Sequence, residues 1–302
     1  HHALIIPLTG LLLLSGTAQA ELRWSSKAAS MAHGAQGQGK PMNMMQMSGA
    51  NGQAQGHNSH NRRRGKTLFL HDSAGAKQWM ITSTLERRDL ELADSSGKLE
   101  VPSTGVDNYH ALVATRQEDM LHESALRYEY LRGKPSGHSP SELLESSKLP
   151  LEIVPDPMAR EHGRFHSQNE QSFIVRFNDK PVSGAWVGLT TSNRSELEAT
   201  TDAEGRVTFS MPDDFKNVRT GRRNNRPGEF MIRTGYVAND VDGERLYRTN
   251  FTAPYYVNPS HWQSDTVGLF MLVSGFAVGL VLMRRTAPST AKPKRPIKKG
   301  AA

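Results

Sequence analysis

Apolar residues fall in two patterns along this chain. One is continuous: Thr266 to Met283 (TVGLFMLVSGFAVGLVLM) carries no charge and runs straight into Arg284 and Arg285. Such a run makes about 27 Å of helix, close to the hydrocarbon thickness of a bilayer, so a transmembrane helix is predicted over 265–284. The other pattern is alternation in short runs, which predicts half-buried strands. TLFLHD (Thr67 to Asp72), QWMITSTL (Gln78 to Leu85), YHALVATR (Tyr109 to Arg116) and LHESALRYEYL (Leu121 to Leu131) form a first group, the last two joined by a turn near Glu118-Asp119. PSELLESS (Pro140 to Ser147) predicts one or two turns of helix capped by Ser139. A second group follows: LEIVPD (Leu151 to Asp156), QSFIVRFN (Gln171 to Asn178), AWVGLTTS (Ala185 to Ser192), RVTFSM (Arg206 to Met211), EFMIRTGYVA (Glu229 to Ala238) and RLYRTNFTA (Arg245 to Ala253). Turn residues at Asn178 to Lys180, Asp202 to Gly205 and Asp240 to Gly243 separate these runs. The prediction is a mainly β chain: an Ig-like antiparallel β-sandwich over 149–256, preceded by a smaller β unit over 67–148, plus one C-terminal transmembrane helix.

The ends add a topology. Ala3 to Leu14 is a shorter apolar stretch, and Ala18-Gln19-Ala20 supplies a small-x-small cleavage pattern, so 1–20 is predicted to be a signal peptide with Glu21 as the first mature residue. The sequence opens His1-His2 without Met or a basic n-region, and its natural start is therefore expected to be truncated or altered. Beyond the span, 285–302 carries Lys292, Lys294, Arg295, Lys298 and Lys299 and no acid, which by the positive-inside rule makes it a cytoplasmic tail. The expected location is the bacterial inner membrane, crossed once, with the body in the periplasm. Tyr255, Tyr256, His261 and Trp262 lie at or within a juxtamembrane segment, 257–264, where amphipathic rings favour the headgroup layer; Trp262 is read as interfacial, with packing at the sandwich base as the other reading of these rings. Gly275 and Gly279 form a G-x-x-x-G that lets helices approach closely, leaving open self-association, packing against another subunit, or a lone helix.

Composition changes the picture in three places. Residues 21–66 are rich in Gly, Gln, Ala, Asn, Ser, Met and His with few branched or aromatic side chains, and are expected to be a disordered arm because so little apolar area cannot offset the entropy of ordering. The formal charge of +7 equals the seven basic residues from Arg284 onward; between Thr67 and Met283 there are 23 basic against 29 acidic residues, so the body is mildly acidic and gives no argument for nucleic acid. Cysteine is absent, which excludes disulfides, thiol catalysis, thiolate zinc sites and a lipid anchor through cysteine.

The candidate chemistry is metal binding. Met42, Met44, Met45 and Met47, with His57 and His60 and the flanking Met31 and His33, combine thioethers suited to Cu(I) with imidazoles suited to Cu(II), Ni(II) and Zn(II). The alternative for this tract is a plain spacer. His162 and His166 stand four apart, but Pro155, Pro157 and Gly163 disfavour the helix that would converge them, so a solvated loop is expected. His122-Glu123 lacks the second histidine of a zinc-protease motif, and His71, His110 and His138 are isolated and read as structural. Asp202 and Glu204 belong to a turn rather than an acid/base pair. Arg219, Arg222, Arg223 and Arg226 make a basic loop with two readings, an anion contact or a solvated loop balancing an acidic domain. No G-x-S-x-G elbow and no P-loop occurs, and no enzyme is read here.

LEIVPDP (Leu151 to Pro157), FNDKPVSGAWV (Phe177 to Val187) and TTDAEGRVTFSMP (Thr200 to Pro212), with ALRYEYLRG upstream, resemble the bacterial exported β-sandwich domains related to the periplasmic accessory subunit of nickel and cobalt transporters, a carboxypeptidase-regulatory-like fold. The resemblance covers about Thr67 to Tyr256 and implies the sandwich, the C-terminal span, a metal ion as cargo (Ni or Co) and a transporter permease subunit as partner. Some relatives carry a histidine at the very start of the mature chain; here the Met/His tract stands in its place, and methionine enrichment leans towards copper. Three classes of function are therefore carried: an accessory protein for metal uptake or handling, a non-metal envelope module binding protein or glycan, and an exported enzyme, for which no nucleophile constellation is visible.

Overall fold

Side chains on a strand alternate between two faces, yet Val106 to Glu118 and Leu121 to Leu131 bury residues of both parities. The computed structural model, which describes residues 21–28, 65–158, 165–240, 243–263 and 265–286, gives the reason: both faces of their sheet are covered. The first strands are β1 (Arg23–Ser25), β2 (Lys66–His71), β3 (Lys77–Ile81), β4 (Arg87–Asp89), β5 (Lys98–Val101), β6 (Val106–Glu118), β7 (Leu121–Leu131) and β8 (Lys134–Pro135), followed by helix α1 (Pro140–Glu145). Then come β9 (Leu151–Asp156), β10 (Phe165–His166), β11 (Glu170–Phe177), β12 (Lys180–Pro181), β13 (Trp186–Thr191), β14 (Glu196–Thr200), β15 (Arg206–Ser210), β16 (Gly228–Asp240) and β17 (Gly243–Tyr256), and finally helix α2 (Asp265–Thr286).

A central sheet runs in the order β14-β13-β16-β17-β7-β6-β3-β4, with β10 paired to β17 and β8 to β6. On one face it packs against the sheet of β9, β11, β12 and β15, giving the sandwich core around Phe173, Phe230, Phe251 and Tyr255. On the other face lies a three-stranded sheet, β1-β2-β5, over a second core of Leu22, Trp24, Leu70, Met80 and Leu112. Along β6 the alternation is direct: Ala111 and Val113 enter the first core, Leu112 and Ala114 the second.

The boundary expected at 148/149 is not a seam. β17 pairs in parallel with β7, from Leu246 opposite Leu121 to Phe251 opposite Leu126, so strands from both sides of that boundary share one sheet and one core. The other joins along the central path are antiparallel. Helix α1 has the expected cap: Ser139 and Glu142 form a reciprocal capping box, with Pro140 in the first turn.

One buried and two half-buried imidazoles should make the body sensitive to mild acid. His71, His110 and His122 all titrate below the usual 6.5, chiefly because burial disfavours the imidazolium. His110 is fully buried, its Nε2 on Thr104 Oγ1 and its Nδ1 on the Asn108 carbonyl. A lowered folded pKa means the unfolded chain takes up the proton first, so stability is full above pH 6.5 and falls as pH drops towards the folded values. We expect thermal midpoints to decline between pH 7.5 and 5.5, and His110→Gln to flatten that slope by up to about 1.4 kcal/mol per pH unit.

Helix α2 belongs to a second compact unit comprising Val218–Asn225 and the chain from Pro259. Thr266–Arg284 has a mean hydropathy of 2.2 and none of it is buried in the protein; it is long and apolar enough to cross a membrane. A Cβ built on Gly275 or Gly279 meets nothing within 4 Å, so their face is open to a neighbouring helix.

Candidate binding cleft and metal segment

The site begins with three residues whose neighbours gave no hint of structure. In β1, Arg23, Trp24 and Ser25 pair antiparallel with His71, Leu70 and Phe69 of β2. Leu22 and Trp24 are essentially fully buried in the second core. Side chains from the central sheet hold the strand at both ends: Leu22 N–H donates to Glu123 Oε1 (3.3 Å), Asn250 Nδ2 donates to the Leu22 carbonyl (2.9 Å), and Ser26 N–H donates to Glu229 Oε1 (2.8 Å). The expectation of a wholly disordered 21–66 is therefore corrected at its N-terminal end, where an aliphatic and an indole side chain two residues apart supply enough apolar area to dock a short strand.

Glu229 is the hub of a buried ionic chain. Its Oε2 accepts from Ser25 Oγ (2.7 Å) and its Oε1 from Arg127 (2.9 Å); Arg127 Nε donates to Glu129 Oε1 (2.6 Å), and Lys66 pairs with Glu129. Burial alone would push both carboxyls up, but the Arg127 guanidinium outweighs it and holds Glu129 and Glu229 below the usual carboxylate range, with Lys66 helping the first and the Ser25 and Ser26 donors the second. One end of this chain fastens β1 and the other, Lys66, starts β2.

Beside β1 is a cleft of about 340 Å³, lined by Trp24, Lys27 and His71 on one side and by Thr190, Glu229 and Thr252 of the central sheet on the other. His71 Nε2 lies 2.9 Å from the Lys27 carbonyl. Two lining residues carry buried polar atoms without a partner among the described residues, Trp24 Nε1 and Thr252 Oγ1. A buried donor left unpaired costs about 1–3 kcal/mol, and both atoms are sealed from solvent, so neither is open to a ligand seated in the cleft.

Met42, Met44, Met45, Met47, His57 and His60 lie outside the described residues, as do Met31, His33 and His162. What the fold fixes is where their segment starts and stops: residues 29–64 connect Ala28, at the cleft, to Gly65, next to Lys66 of β2. The tract is thus a connection between paired strands, fastened at both ends, rather than a free N-terminal arm. Among the described residues no group of three or more His, Asp and Glu is placed to hold a metal. His122 packs against Tyr247, His138 pairs with Glu142 of α1, and His166 lies in β10. Asp202 Oδ1 accepts from the Glu204 and Arg206 amides, the turn role expected of it.

No protein-family model and no curated protein matches the sequence. Among solved structures, a two-domain fibronectin type III segment of chicken tenascin aligns over 64% of this chain and 93% of its own at 6% identity, with a TM-score of 0.20. An adhesin described as Ca²⁺-stabilised and as helping an Antarctic bacterium bind ice aligns over 64% of this chain and 43% of its own, at 11% identity and a TM-score of 0.22. Scores this low carry no weight for function; the β-sandwich is established by the sheets themselves.

Proposed function

We propose that this chain is a single-span accessory protein of the bacterial envelope, its β body in the periplasm and its basic tail in the cytoplasm, which captures a transition-metal ion as cargo. The ion is held by Met42, Met44, Met45, Met47, His57 and His60 and is passed to a permease subunit in the same membrane. The observation that carries this reading is the tethered connection: the chain's one stretch rich in methionine and imidazole leaves β1 after Ala28, at the cleft, and rejoins the body at Lys66 of β2, so both ends of the segment are tied to paired strands. The open face at Gly275 and Gly279 suits helix packing against the permease or a second copy.

Titration of the full chain in detergent with Cu(I) and Ni(II), at neutral and mildly acidic pH, tests it. Thioethers do not titrate, so Cu(I) binding at the methionines persists in acid, whereas binding through His57 and His60 weakens as imidazoles protonate near pH ~6.5. Changing the four methionines to leucine keeps the bulk and removes the sulfur; equal Cu(I) affinity of this variant and wild type would exclude the methionines as the site. A second reading, an envelope module that binds protein or glycan, is favoured by the cleft itself, whose lining sets Trp24 beside the polar Lys27, His71, Thr190 and Glu229. It takes first place if neither ion binds better than to a variant with residues 29–64 scrambled.

A further inference from the structure

The loop Val218–Asn225 has no part in the cleft or the metal segment, yet it is built with care. Asn225 Oδ1 accepts from the Arg219 amide (2.8 Å), while its Nδ2 donates to the carbonyls of Arg219 (2.6 Å) and Gly221 (3.0 Å). Asn224 Nδ2 donates to the Thr220 carbonyl (2.7 Å), closing a 3-10 turn over Arg222–Asn224, and Gly221 takes a φ of 90°, which glycine adopts without strain. Two asparagine amides thus shape a short loop whose Arg219, Arg222 and Arg223 are all exposed. None of these three guanidiniums has a carboxylate or hydrogen-bond partner among the described residues, whereas Arg116, Arg127 and Arg176 of the body all lie against carboxylates. Between Lys216 and Gly228 there is no acidic residue at all.

The loop's second property is its place. It forms one compact unit with the segment from Pro259 that turns at Pro259–His261 and enters α2 at Asp265. We propose that Arg219, Arg222 and Arg223 dock this unit on the anionic phospholipid headgroups of the bilayer that α2 crosses. The inference rests on the single-span reading above. Guanidinium is the side chain best matched to phosphate, offering paired N–H donors in a fixed plane and a charge that survives any physiological pH. The docking holds the loop at the headgroups; Trp262, partly buried just before the span, takes the same layer.

Because the chain has no cysteine, a single spin label reports one position. The full chain is placed in nanodiscs of phosphatidylcholine alone, or of phosphatidylcholine mixed with phosphatidylglycerol, with a label at Thr220→Cys or, separately, at Leu272→Cys within α2. Access of a water-soluble paramagnetic quencher is then measured. The label at Thr220→Cys should be shielded in the anionic discs and open in the neutral ones, and raised salt should release it. Each Arg→Gln change at 219, 222 or 223 should raise the open-to-docked ratio about fivefold. Hydrogen exchange of the 218–225 amides in unlabelled protein gives the same comparison without substitution at Thr220. Equal access in both lipids, with the Leu272→Cys label buried in the bilayer, overturns the docking alone. A Leu272→Cys label open to water overturns the single-span reading and the docking with it.

Discussion

Trp24→Ala is expected to lower the unfolding free energy of the β body by about 3–5 kcal/mol, the range for deleting a buried large aromatic side chain. Trp24 is 1% exposed and lies in the same core as Leu22, Leu70, Met80 and Leu112, so its removal opens a cavity between the three-stranded layer and the central sheet. Excision of Glu21 to Ala28 should cost at least as much, since Leu22 and the contacts to Glu123, Asn250 and Glu229 go with it. Denaturant midpoints of wild type, Trp24→Ala and the deletion decide this. An unchanged midpoint in both variants would mean that β1 contributes nothing, and that 21–66 is the dispensable arm its composition suggests.

The second large effect is expected at Arg127. Its guanidinium is 2% exposed and lies between Glu129, 3% exposed, and Glu229. Arg127→Met leaves two desolvated carboxylates facing each other's neighbourhood without their main counter-charge, a loss of about 3–5 kcal/mol at neutral pH. The sign with pH follows from the lowered folded pKa of both carboxyls: their stabilisation is present above about pH 4.5 and is lost as pH falls through the folded values. The cost of Arg127→Met should therefore shrink in acid, where the orphaned carboxyls protonate. The triple change Arg127→Met, Glu129→Gln, Glu229→Gln should recover much of the stability, because a neutral set removes the unpaired charges. Unfolding free energies of the single, double and triple variants at pH 7 and pH 4.5 measure both statements; additive effects at neutral pH would dissolve the network.

Much of this fold could be read from the chain because most strands alternate visibly. QSFIVRFN, AWVGLTTS and RVTFSM name β11, β13 and β15 by their pattern alone, and Ser139 with Glu142 names the start of α1. Two features were hidden, each for a physical reason. Parallel pairing of β17 with β7 joins Leu246 to Leu121, and no local turn announces a contact between positions so far apart in sequence. The third layer was hidden by charge. Glu123, Arg127 and Glu129 on β7 carry charge, yet they are buried beneath β1 and β2, Glu123 paired with Arg116 of β6, Arg127 with Glu229 of β16 and Glu129 with Lys66 of β2. β1 itself has only three residues, too few for periodicity, and its Leu-x-Trp stands beside low-complexity sequence. The Met/His tract was legible as composition; that both its ends are fastened depends on β1 and became visible only with the fold.

The central claim is that sulfur in the closed segment between β1 and β2 holds the ion. X-ray absorption at the copper edge, on the full chain loaded with one equivalent of Cu(I) at mildly acidic pH, reads the ligand atoms themselves. The account predicts a first shell dominated by sulfur, lost when Met42, Met44, Met45 and Met47 are changed to leucine. Because the chain has no cysteine, methionine is the sole source of that sulfur. A shell of nitrogen and oxygen alone, or the same spectrum from wild type and the leucine variant, would contradict it.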